Sequence, residues 1–375
     1  MTKYLPLLDL LLPIAVVLFL MPISPSISSL PATIWVMLQL ICSPTQKRWA
    51  LWPLAFVVLA MGRSWWLNEM PHPAASEDIL LIITSFLAAS GISQNRWPQL
   101  LKTIPLPLPL LLLQLSSSPW TPNPTAGRNQ TTYLIGLLAI ISICWLWSAS
   151  KSKLNMLFVS IPAFFCIFLL WHSQSRAGVI ATAIALLAVK LREEHQKGEL
   201  LKFIPLAAIL GISTILSLKF LRPSSVISLT GFDFISDMGR IDIQRCYLQL
   251  PFSGSNRFIY GTGYENSKNF CHQQVTSGIL DHAHNIYIQL WANAGILGLF
   301  GLGICIYLLI DNWRKLEHSL DKFALRTGQA AFLYIFVQGF FDVSLIHWPI
   351  TQVFTGILLA IPLSVNGSVT TPDRS

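Results

Sequence analysis

Apolar runs recur from one end of the chain to the other, at roughly 5–22, 28–43, 49–62, 79–93, 103–116, 130–149, 154–172, 177–191, 203–220, 286–310, 327–343 and 349–364. No other feature constrains the fold as strongly. Inside lipid a backbone must satisfy its own N–H and C=O groups, and runs like these do so as helices. Only 11% of the residues are charged and 53% are hydrophobic, against about 25% charged in an ordinary soluble domain. The expectation is therefore an all-α polytopic membrane protein of about twelve transmembrane helices, with residues 1–375 forming one bundle. Several runs fall short of the ~20 residues that cross a bilayer upright, so one or two are candidates for re-entrant segments. The first run follows a single Lys3 and lacks a small-residue cleavage site, which reads as a retained helix.

Charge gives an independent test of that count. With the N-terminus cytoplasmic, sixteen of the 25 basic residues fall in the inside segments, from Lys3 and Lys47 through Lys190 and Arg314 to Arg374. The short outside loops hold only Arg63, Arg128 and Arg176, and the remaining six lie in one long loop, 219–285. Long loops escape the positive-inside rule, so twelve spans with both termini cytoplasmic fit. The net charge of +8 is then an orientation signal and asks for no nucleic acid.

Loop 219–285 is long enough to cap the bundle, and a short helical pattern surrounds Met238 to Leu250 within it. Loops of this length in a compact protein are usually functional. Cys246 and Cys271 lie in it, on the side expected to be oxidising, and are predicted to pair; Cys42, Cys144, Cys166 and Cys305 sit in or beside apolar runs. The Pro-alternating IPLPLPLLLL (104–113) predicts a distorted helix, and KLREEHQKGELLK (190–202) reads as a solvated inside loop.

Polar groups that are costly at a membrane border gather in three outward places: Arg176 in HSQSRAG, Arg240 and Arg245 in DMGRIDIQRCY, and His284 with Asn285 in DHAHN. Each has a bland reading. Arg176 can snorkel to headgroups, Arg240 can pair with Asp237 or Asp242, and a lone interfacial His is more often structural than catalytic. Together they have a chemical logic. Guanidinium forks clamp a phosphate or pyrophosphate, and an imidazole near neutral pH accepts a proton from an attacking hydroxyl. The loop has no Asp-x-Asp pair, and His272, His282 and His284 lack a convincing flanking ligand set, so no metal is expected. The glycines of GTG (261–263) and GILGLFGLG (295–303) read as structural, serving a tight turn and close helix approach.

SRAG (175–178), GRIDIQR (239–245), IYGTGYENSKNF (259–270) and above all HNIYIQLWANAGILGL (284–299) resemble the O-antigen ligase and O-antigen polymerase superfamily of bacterial inner-membrane proteins. The resemblance covers about residues 172–310. It implies a helical bundle related to the C-type glycosyltransferase fold, with a periplasmic cap. It also implies transfer of a glycan from undecaprenyl pyrophosphate to an acceptor hydroxyl, with inversion at the anomeric carbon and without a metal ion or other cofactor. Carried onto this sequence, Arg176 and Arg240 would bind the pyrophosphate, and His284 would be the candidate catalytic base or acceptor-orienting group; Arg245 and Asn285 beside them in sequence are further candidates for substrate binding. The implied partners are the lipid-linked donor, a lipid or glycan acceptor and membrane lipids. Ala177 and Asn293 depart from the family's frequent glycine and glutamate, so no carboxylate is available at position 293.

Two other classes stand beside this one: a glycan polymerase of the same superfamily, and a transporter of small anions such as bicarbonate. A transporter concentrates ionisable groups near the bilayer midplane, whereas here they crowd the expected outer face. A non-catalytic envelope partner would leave the Arg/His set without a purpose.

Overall fold

The computed structural model describes residues 5–21, 24–42, 74–108, 128–149, 153–172, 175–196, 232–263, 267–271, 282–344 and 348–364. Among these the chain is all helical: α1 (Leu5–Leu8), α2 (Leu11–Leu20), α3 (Pro25–Cys42), α4 (Ala74–Ser90), α5 (Trp97–Thr103), α6 (Arg128–Ser148), α7 (Lys153–His172), α8 (Arg176–Gln196), α9 (Phe232–Gln249), α10 (Ser255–Tyr260), α11 (Ile286–Leu316), α12 (Lys322–Gly339) and α13 (Pro349–Leu359). The expected runs at 49–62 and 203–220, and most of 103–116, lie outside the described residues. The stretch 104–108 is turn and 3-10 helix, as its prolines predict.

Among the described residues, three helices are long and apolar enough to cross a membrane, within Asn129–Ser148, Leu154–Trp171 and Ile286–Leu316. The count of twelve is not confirmed. Apolar helices such as Leu11–Leu20 and Pro349–Leu359 extend only about 15–17 Å at 1.5 Å per residue, well under a ~30 Å hydrocarbon core. α7 carries the membrane signature most plainly. Leu154, Leu157, Phe158, Ile161, Phe164 and Phe168 are exposed along one side, an apolar face that only lipid or another apolar surface covers well. α6 is the opposite case, apolar all round and buried from Thr131 to Ser142 between α7, α8 and α12.

The run 190–196, expected as solvated loop, is instead the last two turns of α8. Lys190 pairs with Glu194 within the helix at 2.7 Å, while the others reach beyond it: Glu193 takes both Nε and a terminal nitrogen of Arg326 on α12, and Arg192 and Gln196 reach Glu317, just past α11, at 2.9 and 2.7 Å. This clamp fixes direction. The C-terminal ends of α8 and α11 meet the N-terminal end of α12, so Arg176, the start of α11 and the end of α12 share the other end of the bundle.

Candidate functional site at the start of α11

At that other end, His284 is the one non-glycine residue with positive φ among those described (φ 49). A left-handed backbone is costly for most L-residues, and His is among the few that visit it. The next residue, Asn285, is extended and caps α11: its Oδ1 accepts from the amides of Tyr287 (3.0 Å) and Ile288 (3.1 Å). The Asn285 Nδ2 donates to the Phe340 carbonyl at 3.2 Å. One side chain thus starts α11 and ties it to the chain leaving α12. Gln289 accepts from the Ala283 amide (2.9 Å) and the Tyr287 hydroxyl donates to the Phe336 carbonyl (2.7 Å), so the backbone on both sides of His284 is held.

Gly339 makes the approach of the two helices tight. A Cβ there would lie 2.5 Å from the Cγ2 of Ile286. The chain beyond α12 consequently runs under His284 and delivers Asp342, 2% exposed. Its Oδ1 stands 3.4 Å from His284 Nδ1 and 3.7 Å from His282 Nε2. These are ion-pair separations, longer than a formed hydrogen bond. The Val343 amide (2.8 Å) and the Ser344 hydroxyl (2.6 Å) complete the set, and the Ser344 carbonyl is bound by Thr351 Oγ1 of α13. The carboxylate thus accepts from the Ser344 hydroxyl and the Val343 amide and faces both imidazoles.

The cap packs against this corner. Cys246 and Cys271 are disulfide-bonded, as predicted, with Cα atoms 5.8 Å apart. They share a small core with Tyr247, Leu250, Ala283 and Ala292, so the residue before His284 is buried in the cap. α11 breaks at Gly295 (φ 60, ψ −159). The amides of Thr262 and Gly263 bond the Ala292 and Asn293 carbonyls at 2.9 and 3.1 Å. Side chains on either partner would abolish this: a Cβ on Gly261 would lie 2.3 Å from the Asn293 carbonyl, and one on Gly295 2.6 Å from the Gly261 nitrogen. The glycines read as structural are so in this specific sense. Beyond the break, residues 296–316 span about 31 Å, comparable with the thickness of a hydrocarbon core.

The remaining site residues are placed as follows. Arg176 is the first residue of α8, at the same end as His284, where free amides and the helix dipole favour an anion. Arg240 and Arg245 lie in α9, and Arg245 is exposed next to Cys246. The side chains of Arg176 and Arg240 lie outside the described residues. The polar atoms of Asn285 are engaged in the cap and the Phe340 tie. Asp342 is the group that sequence reasoning missed. Its signal was present, since an acid inside the apolar run FFDVSL (340–345) is by default a functional candidate.

These features define a helical membrane protein with a disulfide-closed cap and a His–Asp pair at one border of the bundle. Residues 161–303 match the O-antigen ligase family model, the segment in which most of the resemblance carried by residues 172–310 lies. No curated protein matches the chain.

Proposed function

We propose that the protein transfers a glycan from undecaprenyl pyrophosphate to an acceptor hydroxyl at the periplasmic face of the inner membrane, in the manner of an O-antigen ligase. The observation that carries the reading is His284, held in a left-handed turn with Nδ1 facing the Asp342 anion at 3.4 Å inside the family-matched segment. An anionic Asp342 fixes the tautomer, with the proton on Nδ1 and the lone pair on Nε2. Nε2 takes the acceptor's proton as the acceptor oxygen attacks the anomeric carbon from the face opposite the leaving group. The carbon–oxygen bond to the pyrophosphate breaks with its electrons going to the phosphate oxygen, and the anomeric centre inverts. Asp342 stabilises the imidazolium that forms, as a positioning residue. Arg176, Arg240 and Arg245 neutralise the departing pyrophosphate, which is electrostatic stabilisation by groups that never lose their charge.

The test uses purified full-length protein in lipid, undecaprenyl-pyrophosphate-linked glycan and candidate acceptors. The His284→Asn variant tolerates the left-handed backbone but carries no base. Loss of transfer with the fold intact is expected, and a variant as active as the parent would remove His284 from the mechanism.

A further inference from the structure

His282, His284 and Asp342 offer three ligand atoms that all lie within 4.8 Å of one another. Two of the separations, 3.4 and 3.7 Å, already approach the ~3.3 Å edge of a tetrahedron with bonds of about 2.0 Å. The donors are two imidazole nitrogens and a carboxylate oxygen, the set preferred by Zn²⁺ and its neighbours and poorly suited to Mg²⁺ or Ca²⁺. The supports are in place as well: Asp342 is fixed by Ser344 and the Val343 amide, and the backbone between the imidazoles is fixed by Gln289. The backbone carrying the third ligand is anchored too, the Asp342 amide donating to the Gln338 carbonyl of α12 at 3.1 Å.

We infer that His282 Nε2, His284 Nδ1 and Asp342 Oδ1 form a binding site for a Zn²⁺-class divalent ion, and that this ion inhibits transfer. The linear spacing concealed the site, because the third ligand comes from the chain after α12. Inhibition follows from the imidazole's two nitrogens and rests on the proposed role of His284. An ion on Nδ1 takes that lone pair, so the ring's single proton moves to Nε2, and no proton is released overall. The Nε2 atom then has no lone pair for an acceptor's proton, and Asp342 is drawn onto the ion. Free periplasmic Zn²⁺ would therefore switch the reaction off reversibly.

The test titrates the metal-free full-length protein in lipid nanodiscs with Co²⁺, reading the visible absorption of a low-symmetry N/O site, followed by competition with Zn²⁺. One equivalent bound in the parent, with binding weakened about tenfold or more in His282→Gln and in Asp342→Asn, is expected. Because either variant can misfold, the parent alone gives a second reading. Stoichiometric Zn²⁺ should protect His282 and His284 from an imidazole-acylating reagent, mapped by mass spectrometry, while the exposed His318 stays reactive. No stoichiometric binding, or binding with neither histidine protected, overturns the site. Transfer should fall to background at saturating Zn²⁺ and return with a chelator. Full transfer with the ion bound overturns the inhibition and leaves the site standing. The binding arm needs no substrate, so it decides the ion site even if the transfer reading fails.

Discussion

Two buried carboxylates organise this molecule, and their neighbours differ in kind. Asp9, between α1 and α2, accepts Nε of Arg96 at 3.1 Å and Nε1 of Trp35 at 3.0 Å, and Arg96 also reaches Gln39 at 3.2 Å. Its partner is a guanidinium, which does not lose its charge. Asp342 faces two imidazoles and two neutral donors, and an imidazole can donate at one nitrogen while accepting at the other. The first arrangement stitches α1, α2, α3 and the start of α5 together. The second gathers groups that can hand on a proton. A transporter would want a buried acid that trades partners, and Asp9, saturated by a permanent cation and an indole, is poorly suited to that.

The largest effect should come from breaking the exchangeable side. In His284→Asn, transfer is expected to fall by about 10³-fold, the size of a lost general base, with the thermal midpoint in detergent nearly unchanged. Asp342→Asn should cost less, about 10²-fold, since the base survives with its tautomer and orientation no longer fixed. Breaking the permanent side should reverse the pattern. Arg96→Ala leaves Asp9 buried without its cation and is expected to cost about 3 kcal/mol of stability, while activity per folded molecule stays within a few-fold. A variant at Asp9 or Arg96 that stays stable yet abolishes transfer would erase the distinction between the two clusters.

Next in size is Gly295→Ala. The new Cβ meets the Gly261 nitrogen and the Ile259 carbonyl at under 3 Å, at a φ of 60, so the GTG loop must move off the break in α11. A loss of about 2 kcal/mol is expected from strained backbone and displaced hydrogen bonds. It should appear as faster hydrogen exchange at the Thr262 and Gly263 amides. His284 sits on the same half-helix, so transfer should fall with it. The control on the same helix, Gly303→Ala, meets open space and should be silent.

Much of this was legible in the sequence. The helical class, the α9 pattern, the Cys246–Cys271 pair and the structural glycines all follow from local rules that need no partner. The rest depends on residues far apart in sequence. The ends of α8 were misread because Lys190–Glu194 look solvated until Arg326 and Glu317 arrive from other helices. Asp342 was passed over inside an apolar run because nothing in the 58 positions after His284 says that Gly339 brings the two together. The family likeness also ends at residue 303, before Asp342 is reached.

The smallest effect concerns Asn285, which was expected to bind substrate and whose polar atoms are engaged elsewhere. Its Oδ1 serves two α11 amides and its Nδ2 the Phe340 carbonyl, two residues from Asp342. If capping is its main work, Asn285→Ala should cost about 1 kcal/mol. Asn285→Asp, which keeps the capping oxygen but loses the donor to Phe340, should then recover most of that stability. Activity should separate the two jobs. Asp in place of Asn leaves the Phe340 carbonyl without its donor and loosens the tie that holds Asp342 under His284, so kcat should drop several-fold with KM unchanged. A rise in KM for the lipid-linked donor, at full stability and unchanged kcat, would instead return Asn285 to the substrate and make the cap incidental.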